Sequence, residues 1–224
     1  MSERLIFPDA ASAHDVLTFA GRARTVGDGS VRLRAEAGTI VLTAAPLAPR
    51  GLFDATPTVL AMRALQVDPE LVCDLVVDAA SLSAAADDAA ALVLPEAGLA
   101  PAWAGVSPPR GGWEPVGAVP AATLASRAQW GIAAVAEALP ADPGDDVVRI
   151  VRADVWGAPD AELAGRPLGA AFAAFAMGFI GGEEDARMLS SGVWTRFTLA
   201  RGHVLVRGPQ RVGLTPVRTT GAAD

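Results

Sequence analysis

Polar and apolar residues alternate along several stretches of this chain, and the alternation predicts strands. Val31, Leu33 and Ala35 alternate with Arg32 and Arg34, the period of a strand buried on one side. Gly27-Asp28-Gly29 precedes them, and Ala37-Gly38 leads to the apolar run 39–45. Together these read as a hairpin with one wet face. A further strand is expected over 58–67. Over 71–77, Leu71, Cys73, Leu75 and Val77 alternate with Asp74, which places Cys73 toward the core.

Helical spacing appears elsewhere. After a short strand at 4–7, Pro8-Asp9 opens a helix with Ala13, Val16, Phe19, Ala20 and Ala23 on one face and His14 off it. Pro120 suits the first turn of a helix running to Leu139 before Pro140. Its apolar face holds Leu124, Ala128, Gly131, Ile132, Val135 and Leu139, leaving Trp130 and Glu137 elsewhere. Residues 146–156 carry Val147, Ile150, Val151 and Val155 at helical spacing, although a strand also fits. Leu168, Phe172, Phe175 and Phe179 form the clearest helical stripe. Residues 78–91 read as a weak Ala- and Asp-rich helix, and 92–95 as a short strand. No internal repeat is evident.

The last regular segment predicts a three-stranded antiparallel meander, 186–190, 193–200 and 203–207, with Ser191-Gly192 and Arg201-Gly202 as two-residue turns. One face then carries Met188, Val193, Thr195, Phe197, Leu199, Val204 and Val206. The other carries Arg187, Leu189, Trp194, Arg196, Thr198, Leu205 and Arg207, with Arg196 directly across from both Arg187 and Arg207. Like charges placed opposite one another destabilise a sheet by some tenths of a kcal/mol, so the row needs water, acidic neighbours or a bound anion. Glu183, Glu184 and Asp185 are the nearest neutralising candidates in sequence. An anionic small molecule or acidic partner is the second reading, because arginine forks grip carboxylate and phosphate. Single-stranded nucleic acid stacked on Trp194 is the third.

Charge sharpens this picture. Residues 1–185 hold 12 Arg against 24 Asp and Glu, whereas 186–224 hold six Arg and only Asp224. The pI of 4.8 argues against a whole-surface nucleic-acid binder and conceals one basic element. All 18 basic residues are Arg; Lys, Asn and Tyr are absent, as a high-GC genome would produce. Without Lys there is no Schiff-base lysine, no Walker-A lysine and no kinase β3 lysine. A single Cys excludes an intramolecular disulfide, and with two His no soft-metal cluster is available. No cofactor or metal is expected. The N-terminus lacks a secretory pattern and the Ala- and Gly-rich window 167–182 is too short to span a bilayer, so a cytoplasmic, membrane-free protein is expected.

A second candidate contact is the run Trp103 to Pro115, where two Trp flank Pro108-Pro109-Arg110-Gly111-Gly112. It reads either as a loop pinned to the core or as a pocket lip in which Arg110 supplies a fork and Trp113 a flat wall. Ser107 lies in no Gly-x-Ser-x-Gly elbow, and His14 and His203 have no motif around them, so no catalytic residue is assigned. Asp142 to Asp146 matches no calcium loop.

The segments Trp103 to Gly117, Arg152 to Gly157 and Arg201 to Arg207 resemble a family of proteins without assigned function encoded in actinobacterial genomes. The resemblance spans most of the chain and implies a bacterial cytoplasmic setting without supplying activity, fold or site residues. The combined expectation is an α+β protein with mixed or antiparallel sheets and about four helices. It would form one domain over 1–207, in two packed halves at 1–100 and 111–207, with 208–224 as an extended or disordered tail. It would act as a non-enzymatic binding module, possible as a homo-oligomer. Its contacts would be Arg187, Trp194, Arg196 and Arg207, with Arg110 and Trp113. The alternative is a hydrolase-like enzyme using carboxylates and Arg around 107–114.

Overall fold

The structure, a computed structural model, describes residues 4–208 except 52 and 96; the tail expected at 208–224 lies outside them apart from its first residue. Strand β1 (Arg4–Ile6) leads into helix α1 (Ala10–Val26), capped by the Asp9 carboxylate, which accepts from Ser12 N at 2.7 Å. Strands β2 (Ser30–Glu36), β3 (Thr39–Leu47), β4 (Thr58–Gln66) and β5 (Cys73–Asp78) follow, then the short β6 (Ser83–Ala84) and β7 (Ala91–Val93). The second half contains β8 (Glu114–Pro120), α2 (Ala121–Ala138) and α3 (Asp145–Gly157). The two-residue strands β9 (Pro159–Asp160) and β10 (Arg166–Pro167), α4 (Gly169–Ala176), β11 (Asp185–Ser191), β12 (Trp194–Leu199) and β13 (Gly202–Arg207) complete it.

Eight strands form one antiparallel sheet in the order β5-β2-β3-β4-β13-β12-β11-β8. Each half contributes a helix followed by a three-stranded meander, and the meanders join through their last strands, β4 and β13. The related topology of the halves leaves no trace in the residue pattern. Pro46 offers no N–H to the β3–β4 ladder, and the register shifts there between Ala44 and Leu47.

The helices cover one face of the sheet. Val31, Leu33, Ala35, Ile40, Leu42, Val59, Ala61, Phe197, Leu199, Val204 and Val206 point into this core. They meet the predicted face of α1 together with Leu124, Ala128, Trp156 and Leu168. Gly131 is what lets α2 approach its neighbours: a Cβ there would lie 2.2 Å from the Trp156 ring. Cys73 is partly buried and packs against this core.

Three local expectations change. Residues 78–91 hold no α-helix; a single 3₁₀ turn over Ala79–Ser81, started by Asp78, precedes β6. The aromatic stripe does not run through one helix. α4 stops at Ala176, Gly178 turns with φ +67°, and Phe179 enters the core after the helix while Phe175 stays 39% exposed. Elsewhere, Arg152 on α3 donates to the Val26 carbonyl at 2.8 Å and lies over the Phe172 ring. The C-terminal registers are also displaced, with consequences described next.

Candidate functional site

The face opposite the helices carries the arginines. Arg187 stands opposite Thr198, Leu189 opposite Arg196, Arg196 opposite Leu205, and Trp194 opposite Arg207. The expected faces therefore hold for these residues, but the straight row does not. The turns consist of Gly192-Val193 and Ala200-Arg201, so Arg187, Arg196 and Arg207 run diagonally, with Leu189 and Leu205 flanking Arg196. Gly192, at φ +56°, occupies the first turn position, the one that type II′ turns reserve for glycine. Val193 is thus an exposed turn residue rather than a core one. Gly202 belongs to β13, where the Phe179 ring lies on it; an added Cβ would be 2.6 Å from that ring.

The nearest acids do not neutralise the diagonal. Glu184 accepts from Ala200 N at 2.9 Å and Gly181 N at 3.3 Å, tying down the β12–β13 turn. Among the described residues, no carboxylate lies within ion-pair distance of Arg187, Arg196 or Arg207. The Nε–H groups of Arg196 and Arg207 are buried without a hydrogen-bond partner among the described residues. Burial, then the charge of Arg187, lowers the pKa of the Arg196 guanidinium from its ordinary value.

The segment 98–113 crosses this face and makes a second, smaller apolar cluster. Trp103, Trp194, Leu60, Leu205, Val76 and Ala45 are buried in it, with Trp113 and Met62 at its edge. The Trp103–Pro115 run is pinned to this face and also borders a groove. Trp103 pins the loop, its indole N–H donating to Asp28 at 2.8 Å, while Trp113 donates to the Pro109 carbonyl at 3.1 Å and presents its ring to the Arg196 guanidinium 4.6 Å away. Arg32 anchors the same crossing. Its fork grips Asp74 at 2.6 and 2.8 Å while Nη1 donates to Ala104 O, and it holds the Asp74 carboxyl below the usual carboxylate range.

Between loop and sheet lies a groove of about 350 Å³, within the size range of small-molecule sites. Arg32, Arg34, Arg110, Arg196 and His203 line it, with one carboxylate, Glu36, and an apolar floor of Val41, Met62 and Leu205. Glu36 meets Arg34 at 3.6 Å and Arg110 at 3.5 Å in solvent-exposed pairs, which contribute little. Of the six residues expected from sequence, Arg110, Trp113 and Arg196 thus meet in one groove. Arg187 and Arg207 flank its floor without lining it, and Trp194 is only 5% exposed, beneath the loop and unable to stack on a base. Arg34 and His203 were missed; the alternation of Arg32 with Arg34 on the wet side of the first hairpin was the available signal for Arg34.

Ser107 is approached by Arg32 at 3.5 Å, His203 Nδ1 shares a hydrogen bond with Thr198 Oγ1 at 3.2 Å, and no hydrogen bond joins Ser107 to His203 among the described residues. A second cavity, about 460 Å³, lies between α3 and the end of β3. Its polar groups largely satisfy one another: Asp28 takes the Trp103 indole, Asp54 accepts from Arg50 N and Thr56 N, and Arg152 is held by Val26 O. Among the described residues no cluster of three or more His, Cys, Asp or Glu is placed to hold a metal ion, and no helix is long and apolar enough to cross a membrane.

Fold and groove define an α+β protein with a cationic cleft on an otherwise acidic molecule. Residues 1–105 match the family model described as Domain of unknown function (DUF8010), and residues 108–211 match Domain of unknown function (DUF8185). Both fit the resemblance to proteins without an assigned activity. No curated protein matches the chain. Among solved structures, a DNA polymerase sliding clamp from Caulobacter crescentus is similar with TM-score 0.48 and 13% identity, over 99% of this chain and 69% of the clamp chain. A DnaN sliding clamp from Bartonella birtlesii bound to griselimycin gives 0.48 and 14%, over 96% and 67%. Caulobacter crescentus pol III beta gives 0.49 and 12%, over 93% and 66%. This likeness brings no ligand or activity to the present chain.

Proposed function

We propose that this protein is a non-enzymatic binding module that holds a small anionic ligand in the groove between the 107–113 loop and the open sheet face. The carrying observation is Arg196, whose Nε–H is buried without a partner while its guanidinium is braced against Trp113 with no carboxylate in reach among the described residues. A cation partly withdrawn from water without a counter-charge is costly, and an oxyanion in the groove supplies that charge to the guanidinium. Arg34 and Arg110 join once the ligand competes with their exposed contacts to Glu36. The apolar floor favours an anion that carries an apolar body. The Arg-only basic complement supports a high-GC bacterial genome as the source of this protein.

Calorimetry with phenyl phosphate, a Glu-rich peptide and oligothymidine at two salt concentrations tests this reading. Phenyl phosphate is expected to bind saturably, one per chain, and to change the emission of Trp113. Oligothymidine binding that weakens steeply with salt while phenyl phosphate fails to bind would replace the reading with a nucleic-acid one. Peptide binding alone would replace it with an acidic protein partner.

A further inference from the structure

The groove contains one ionisable group to which the binding reading gives no task. His203 stands in the cross-strand row Met62, His203, Thr198, Arg187, diagonal to Arg196. Its Nδ1 is engaged with Thr198, and Nε2 has no hydrogen-bond partner among the described residues.

The charges around His203 are one-sided. β12 supplies Arg196 and β11 supplies Arg187, while β4 presents the neutral Met62. Across the groove, the loop contributes Arg110, and β2 contributes Arg32, Arg34 and Glu36. Arg32 is held by Asp74, beside the groove on β5, and Glu36 is shared between Arg34 and Arg110. No carboxylate forms an ion pair with His203 among the described residues. Burial first, then Arg196 and Arg187, holds its pKa below the ordinary histidine value, so the empty groove keeps a neutral imidazole at pH 7.

We propose that the groove receives the oxyanion head of its ligand between Arg196 and His203, and that His203 takes up one proton as the anion enters. The inference rests on the groove being an anion site. A bound sulfate-, phosphate- or carboxylate-type group reverses the field of the two arginines and accepts the hydrogen bond that a protonated Nε2 donates, and no other bond changes. Binding and protonation are then reciprocally coupled. Between the His203 pKa values of the empty and filled groove, affinity rises about tenfold for each pH unit of acidification.

Sulfate is a suitable probe because it stays a dianion throughout this range. The protein has two histidines, and His14 is exposed on α1, so imidazole NMR signals separate readily. Saturating sulfate is expected to move the His203 titration midpoint up by about one pH unit. His203→Gln, which retains a partner for Thr198, should bind sulfate with an affinity independent of pH between 5 and 8. Arg196→Gln should lose sulfate at every pH; if it binds like the parent, the groove reading itself fails. If Arg196→Gln loses binding while sulfate leaves the wild-type His203 titration unmoved, or if His203→Gln keeps the parent pH dependence, the proton-uptake inference alone is overturned.

Discussion

Arg196→Met is expected to raise the stability of the fold by about 1 kcal/mol while removing anion binding from the groove. Both effects have one source. In the free protein the Arg196 guanidinium has a buried, unpartnered Nε–H, a like charge in Arg187 and no carboxylate within reach among the described residues. A methionine keeps most of the side-chain volume between Leu189 and Leu205 and makes a favourable sulfur contact with Trp113. Losing charge-assisted hydrogen bonds worth roughly 1.5–3 kcal/mol should weaken an anion by about tenfold to more than a hundredfold. Urea unfolding and phenyl phosphate calorimetry on the same variant measure the two effects. A stability loss with unchanged affinity would assign Arg196 a structural role instead.

The largest stability loss is expected from Phe179→Ala, about 3–5 kcal/mol, as for other fully buried aromatic truncations. The ring is 0% exposed, stacks on Phe19 at a centroid distance of 6.5 Å, and lies on Gly202 at the start of β13. It therefore joins α1, the end of α4 and the strand that carries His203 and Leu205. The urea midpoint should fall with an unchanged slope. A loss below about 1 kcal/mol, the cost of removing a methylene or so, would mean that this position is not the packed junction described.

Much of the fold was legible because it follows from local periodicity. Alternation assigned Phe197, Leu199, Val204 and Val206 to the helix-covered face, and Arg187, Arg196 and Arg207 to the open one, as the sheet has them. Each hairpin turn lies one residue away from its predicted place. Moving a two-residue turn by one residue displaces the pairing by two, which preserves the face and changes the neighbour opposite. That is why the arginines share a face yet lie on a diagonal. The stripe from Leu168 to Phe179 failed for another reason. Gly178 in the left-handed region ends the helical path, and Phe179 reaches the core from a turn, so helical spacing alone did not report a continuous helix. Least legible was the meeting of Trp113 with Arg196. It depends on how the 98–113 segment crosses the sheet, which is fixed by Arg32 bridging Asp74 and Ala104 and by Trp103 reaching Asp28. Such long-range contacts leave no periodic mark. His203 was missed likewise, because its neighbours come from two other strands and a distant loop.

The most direct test is to grow crystals with selenate and locate selenium by its anomalous scattering. The account predicts one ordered selenate in the groove, with an oxygen about 2.7–3.2 Å from an Arg196 nitrogen and a second oxygen facing His203. An empty groove at saturating selenate, or a carboxylate of the chain itself seated on Arg196, would contradict it.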